Sequence, residues 1–273
     1  MKKKIYSCAL LLLFAFAGGK HDADERNSSK MKNGTQTILA IGAHAGDMEI
    51  SCGAVLAKQA MMGDRVVILH LTLGEGGNPK MSAEDYGSQK KREALKVDSL
   101  LGAEPIFGPY HDGELPNDEV ARHYVANVIR MVKPSCIITH WTKSIHKDHS
   151  NAHAVVVDAI LLASLPSVGT VTPYSETEYP EWRGVKRILY TENWEDMDDY
   201  QPYVYVDVNE SLEKWEKAVK EYEFIGGKIS SFPYLNYYKS LASVRGAEAG
   251  FACAVSFNVD QFDKKLIWKT INP

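Results

Sequence analysis

The sequence predicts an α/β fold of three layers, a mostly parallel sheet with helices on both faces, in a single domain. Three observations carry this. Apolar runs of strand length recur at residues 38–41, 66–71 and 136–139. Segments with helical spacing, at 89–101 and 120–132, stand between them. The runs are continuously apolar, as strands covered on both faces must be. At 273 residues and 45% apolar, the chain can bury one large core. No internal repeat or second domain boundary breaks the pattern.

Taken in order, Lys2, Lys3 and Lys4 precede an apolar run over 5–17 that ends in small residues. That pattern predicts a secretory signal over residues 1–19. The run is too short for a comfortable membrane span. Residues 20–35 are polar and read as a disordered tether, and residues 36–273 as the folded domain. The expected address is secreted or periplasmic, with no stable membrane insertion once the signal is removed. The net charge of −4 carries no basic excess, which argues against nucleic acid as a partner. Four cysteines show no C-x-x-C spacing, and Cys136 and Cys253 sit in apolar runs as free buried thiols.

The first strand ends at Gly42, and His44, Asp47 and Glu49 follow at once. The C-terminal end of a buried strand is where open α/β sheets place their sites. Residues 48–62 read as a helix closed by Gly63. The second strand leads to a glycine-rich loop at 74–79 that lacks the lysine and hydroxyl residue of a phosphate loop. Helix 89–101 turns Ala94, Val97 and Leu101 to one side. A short strand at 105–107 leads into Tyr110, His111, Asp112 and Gly113. Helix 120–132, strand 136–139 and helix 153–165 complete the regular part. Beyond it lie strands at 185–190 and 204–208 and a helix at 211–224. An aromatic stretch at 232–238 reads as core or cleft wall, and residues 195–199 as a solvated acidic loop.

His44 and Asp47, three apart in a turn, with His149 as a distant third ligand, make the His₂Asp set of a catalytic zinc site with an open position for water. The competing reading makes His44 a helix cap and Asp47 half of an ordinary salt bridge. His146, Asp148, His149 and His153 crowd four ionisable groups into eight residues, more than packing asks for. Of His149 and His153 only one need be a ligand, and Asp148 is suited to orienting a neighbouring imidazole. His70, inside a strand, reads as a core histidine. His140 either lines the pocket or packs.

Five ordered segments now fall into a pattern. They are Ala43-His44-Ala45-Gly46-Asp47-Met48-Glu49, Leu71-Thr72-Leu73-Gly74-Glu75, Asp112-Gly113-Glu114-Leu115, His146-Lys147-Asp148-His149, and Arg245-Gly246 with Gly250. Across residues 37–257 the chain resembles the PIG-L/LmbE-type family of metal-dependent N-acetylglucosaminyl de-N-acetylases, whose fold is Rossmann-like. The resemblance implies one Zn²⁺ per chain on His44, Asp47 and His149, iron also being compatible with these donors. It implies that His146 steadies the tetrahedral intermediate with Asp148 orienting it, and that Asp112 contacts sugar hydroxyls. Glu49 would support the metal loop, while Glu75, His111 and Lys90 fall on the substrate side.

Two positions depart from the family pattern. Gly46 stands where the family has its general base, and a glycine takes no proton. Lys90 stands where the family has a substrate-gripping arginine, a point charge in place of a fork. Glu75, His111 and Asp148 are the substitutes considered for the base. The expected activity is an exported zinc-dependent hydrolase removing an N-acyl group, acetyl above all, from an amino sugar or glycoconjugate. Its partner would be a small-molecule or glycan substrate carrying an N-acetyl amino sugar, with a homo-oligomer left open. The alternatives are a non-catalytic metal-containing glycan-binding protein and a hydrolase of another amide or an ester.

Overall fold

The computed structural model describes residues 35–227 and 229–265. The predicted signal, and the tether up to its last residue, lie outside the described residues. The sheet is built from β1 (Thr37–His44), β2 (Arg65–Thr72), β3 (Ala103–Phe107), β4 (Cys136–Thr139), β5 (Arg187–Thr191), β6 (Val204–Asp207) and β7 (Ala254–Asn258). The helices are α1 (Asp47–Ser51), α2 (Gly53–Met61), α3 (Ala83–Leu101), α4 (Glu119–Val132), α5 (Lys147–Ser164), α6 (Leu212–Val219) and α7 (Tyr234–Ala249).

The strands lie in the order β3-β2-β1-β4-β5-β7-β6. The first five in that order are parallel, with Leu39 of β1 opposite Val67 and Ile137. β7 runs antiparallel to both β5 and β6. From β1 the chain moves outward through β2 and β3, then crosses back to lay β4 on β1's other side. The strand order therefore reverses between β1 and β4, and a crevice opens at their C-terminal ends.

Period-two alternation divides β1 between two cores. Ile38 and Ala40 pack with α2, α3 and α6, whereas Leu39, Ile41 and Ala43 pack with α4 and α5. Helices thus cover both faces, as the sequence predicts.

Several boundaries differ from the sequence reading, each for a physical reason. The helix expected over 48–62 is two helices that break at Cys52, φ −134° and ψ 7°. The second begins at Gly53, where a Cβ would come within 2.8 Å of Trp215 on α6. The Trp215 indole donates to the Glu49 carbonyl at 2.7 Å, tying α6 under this corner. α3 starts six residues before the expected 89, capped by Ser82, whose Oγ accepts from Asp85 N at 3.1 Å. α5 likewise starts early, at Lys147, so the cluster from His146 to His153 spans its N-cap and first two turns. α6 ends at Val219, and α7 and β7 occupy chain given no regular structure in the sequence reading. Cys52 is buried, and Cys136 and Cys253 are half-buried free thiols. Among the described residues no helix is long and apolar enough to cross a membrane.

Candidate metal centre and active site

The crevice at the ends of β1 and β4 gathers three donor atoms. His44 ends β1, Asp47 opens α1, and His149 lies on the first turn of α5. Between the first two, Gly46 adopts φ 113°, a left-handed conformation open to glycine and strained for other residues. That turn folds Asp47 back so that its Oδ2 accepts from His44 N at 2.7 Å. Oδ2 then lies 3.3 Å from His44 Nδ1 and 3.5 Å from His149 Nε2, and these two nitrogens are 3.2 Å apart. A tetrahedral cation 2.0–2.2 Å from each donor would hold them about 3.4 Å apart. The triangle fits a single divalent cation, and it joins the three residues singled out in the sequence.

The electrostatics are consistent with that fit. Burial, reinforced by the nearby His140, holds the His149 imidazole below its ordinary pKa, in the neutral form that ligates. Burial would lift Asp47, but His149 and His44 outweigh it and keep the carboxyl well below the usual range. For His44 burial works downward, and Asp47, Asp112 and Asp148 carry it well above its ordinary value. Without a cation this carboxylate-rich pocket retains a proton on His44.

Asp196 is the support that the sequence reading missed. Fully buried, it places one oxygen 2.8 Å from His149 Nδ1 and the other 2.8 Å from His140 Nδ1. A carboxylate on Nδ1 fixes the tautomer and turns the Nε2 lone pair of His149 to the triangle. Burial opposes charge on His140, but Asp196 and Asp47 lift it to about 9. Glu195, next to Asp196, brings Oε2 to 3.7 Å from His149 Nε2. Burial, with Asp47 and Asp196 adding to it, raises this carboxyl to about 7. The acidic stretch read as solvated is so only at Met197, Asp198 and Asp199. The signal for Glu195 and Asp196 was their place just after a strand end, the same signal that marked His44.

His146 caps α5, with its Nδ1 accepting from Asp148 N at 3.3 Å. Its Nε2 is thereby left to donate, and the ring centre lies 4.6 Å from that of His44. Burial, with His44 adding to it, lowers its pKa. Asp148 therefore steadies His146 through the backbone. Its carboxylate, expected to orient that ring, instead accepts from Gly113 N at 2.7 Å and lies 3.5 Å from His44 Nε2. Asp112 has Oδ1 3.1 Å from His44 Nε2 and Oδ2 on Gly76 N at 3.0 Å. Glu75 Oε1 meets His111 Nδ1 at 3.0 Å and Asp112 N at 3.2 Å, and the His111 side chain is 78% exposed at the rim.

Lys90 does not reach the open side of the crevice as a substrate clamp would. It is 4% exposed, and its ammonium donates to Ala45 O at 2.5 Å. The Phe224 and Tyr222 rings flank it at 4.1 and 4.6 Å. Burial lowers its pKa to about 8. A Cβ on Gly46 would lie 2.9 Å from Phe224 Cζ and 3.5 Å from Lys90 Nζ, so both departures from the family pattern meet at one spot. Glu49, as the resemblance implies, backs the loop, accepting from Gly46 N at 3.2 Å and from the Tyr222 hydroxyl. His70 is a core residue, paired with Asp98 at 3.0 Å.

Fold and donor set define the class, an open α/β protein with a candidate divalent-cation site at its switch point. Residues 39–160 match the family model described as GlcNAc-PI de-N-acetylase, PIG-L. The chain is 30% identical over 209 residues to the 1D-myo-inositol 2-acetamido-2-deoxy-α-D-glucopyranoside deacetylase of Rhodococcus erythropolis, spanning 60% of this chain and 69% of that one. It belongs to the PIG-L family.

The Streptomyces griseus deacetylase of the same name is 26% identical over 55% of this chain and 56% of its own, so the chain spans little more than half of that relative's length. The 4-oxalmesaconate hydratase of Pseudomonas putida is 22% identical over 82% of this chain and 85% of its own. Among solved structures, the N,N'-diacetylchitobiose deacetylase of Pyrococcus horikoshii shares the fold with a TM-score of 0.69 at 19% identity, over 82% of this chain and 84% of that one.

Proposed function

We propose that this protein is an exported, zinc-dependent hydrolase that removes an N-acetyl group from an amino sugar or glycoconjugate. The triangle of His44 Nδ1, Asp47 Oδ2 and His149 Nε2 carries the reading. When bound there, the cation supplies acidity to a water and a pull on the amide carbonyl. The chain's own residues supply the rest. Asp196 keeps His149 turned to the site, and His146 Nε2–H is left free to donate to the oxygen that gains charge as the carbonyl is attacked. Asp112 and Asp148 face the other edge of His44 and hold its ring in place. The deacetylase relatives support an N-acetyl amino sugar as the substrate.

The test is release of acetate from a panel of N-acetylated sugars with added zinc, comparing the native chain with His149→Ala. The reading expects a loss of ~10²-fold or more in the variant; equal rates sink it. Sequencing the N-terminus of the exported protein tests the signal, with cleavage expected after about residue 19.

A second reading is favoured by Gly46 and by the match to the hydratase over 82% of this chain. In it the same donors serve the addition of water to a carbon–carbon double bond of an unsaturated tricarboxylic acid. Loss of the double bond's ultraviolet absorbance, with no acetate released from any sugar, selects this reading.

A further inference from the structure

Gly46 puts no acid at the turn between His44 and Asp47, and the space a side chain would need there is already filled. The nearest atoms to a Cβ there belong to Phe224, at 2.9 and 3.3 Å. Phe224 stands edge-on to Tyr234 with ring centres 5.3 Å apart, and Tyr234 stands edge-on to Trp194 at 6.3 Å. Trp194 immediately precedes Glu195. The aromatic wall that closes the place beside Gly46 therefore continues into the loop that delivers a carboxylate to the same three donors.

The residue that carries that carboxylate is held at its backbone. Glu195 N donates to Asn193 Oδ1 at 3.1 Å, and its carbonyl accepts from Ile145 N at 3.1 Å. The next residue, Asp196, grips His149 Nδ1 at 2.8 Å. His149 Nε2 lies 3.7 Å from Glu195 Oε2, and among the described residues no lysine or arginine pairs with this carboxylate. This separation is too long for a hydrogen bond. It sets Oε2 beside the donor triangle, within reach of a water held at its open position. The side chain is 24% exposed, open enough for such a water to enter.

We propose that the Glu195 carboxylate is the general base of this site, in place of the acid that Gly46 lacks. The proposal rests on the hydrolase reading above. One O–H bond of a water breaks, its proton passes to Glu195, and the water oxygen bonds to the amide carbon. His146 donates to the carbonyl oxygen as it gains charge. The C–N bond then breaks with its electron pair on nitrogen, which takes the proton back from Glu195. A carboxylic acid and an amine leave, and Glu195 returns to its starting form.

Glu195→Gln keeps the shape and removes the base, and Glu195→Ala with added formate offers an external one. Both are compared with the native chain for acetate release, and for zinc affinity by competition with a chromogenic chelator. Glu195→Gln should lose ~10²–10⁴-fold in kcat/KM, bind zinc within about threefold of the native affinity, and stay folded; formate should restore part of the Glu195→Ala rate. An active native chain with Glu195→Gln equally active overturns this proposal alone. A tenfold or greater loss of zinc affinity in Glu195→Gln also overturns it, because Glu195 would then be a ligand. A native chain that binds zinc but releases acetate from no acetylated sugar overturns the hydrolase reading and this proposal with it.

Discussion

Asparagine at position 196 should damage both the proposed metal site and the fold. The native carboxylate receives His140 Nδ1 and His149 Nδ1, each at 2.8 Å, on separate oxygens. An asparagine offers one oxygen and turns an NH₂ group toward the other imidazole N–H. One hydrogen bond to a charged group is lost, at ~1.5–3 kcal/mol, and a buried donor then faces a donor. The sum is about 3–5 kcal/mol, the range for breaking a buried pair from one side. For a domain of this size that is a Tm lower by on the order of 10 °C. A ligand's supporting carboxylate also governs ~10–100-fold of metal affinity.

The pH dependence of the same site has a definite sign. Burial alone would raise Asp196, but His140 and His149 hold it down to about 2. A depressed carboxyl stabilises the fold above its unfolded pKa and loses that contribution as pH falls through the folded one. Native protein should therefore lose about 2 kcal/mol more than Asp196→Asn between pH values near 4 and 2. Thermal melts across this range and zinc competition at neutral pH are the assays. A variant that melts within about 2 °C of the native chain and binds zinc within about threefold would refute the account of Asp196.

Three further outcomes follow from residues elsewhere in the chain. Gly46→Asp should not restore a base. Its φ of 113° and the Phe224 contact at 2.9 Å should cost ~1–3 kcal/mol, seen as a lower Tm with no gain in acetate release. Lys90, lowered by burial to about 8, should make the native fold gain stability relative to Lys90→Met as pH rises toward the unfolded value of 10.5, because the unfolded chain then binds the extra proton. The gain should approach about 3 kcal/mol, and parallel denaturant titrations at two pH values would read it; no relative change would place the ammonium in water. Ser82→Ala removes the α3 cap bond to Asp85 N and should cost about 1 kcal/mol in the same titrations, without touching activity.

The parts of the fold that could be read from sequence are those where burial is local and periodic. β1, β2 and β4 are apolar runs covered on both faces, so their composition alone marks them. α7 was missed because it presents little apolar periodicity. Only Tyr238, Ala242 and Gly246 are buried along its 16 residues. β7 is a short antiparallel addition beyond β5, outside the βαβ rhythm that organises the rest. The first turns of α3 and α5 went unread because they are polar and announced by caps, Ser82 and His146, rather than by apolar spacing.

The site shows the same division. That His44, Asp47 and His149 meet was legible because residue types able to bind a metal stand just after strand ends. Asp196 and Glu195 were not, since a run of acids in sequence looks like solvated surface until tertiary structure lays histidines beside two of them. Lys90 and Asp148 illustrate a different limit. Residue type suggested a clamp and an orienting acid, but the direction of a side chain is set by its packing. Lys90 points under the loop to Ala45 O, and the Asp148 carboxylate points to Gly113 N.

The measurement closest to the central claim is an anomalous difference map at the zinc edge, from crystals of the full chain grown with one equivalent of zinc. A single strong peak is expected about 2.0–2.2 Å from His44 Nδ1, Asp47 Oδ2 and His149 Nε2. A peak among Glu49, His70 and Asp98, the fully buried group beneath the loop, or no peak at all, would contradict the metal centre and the chemistry built on it.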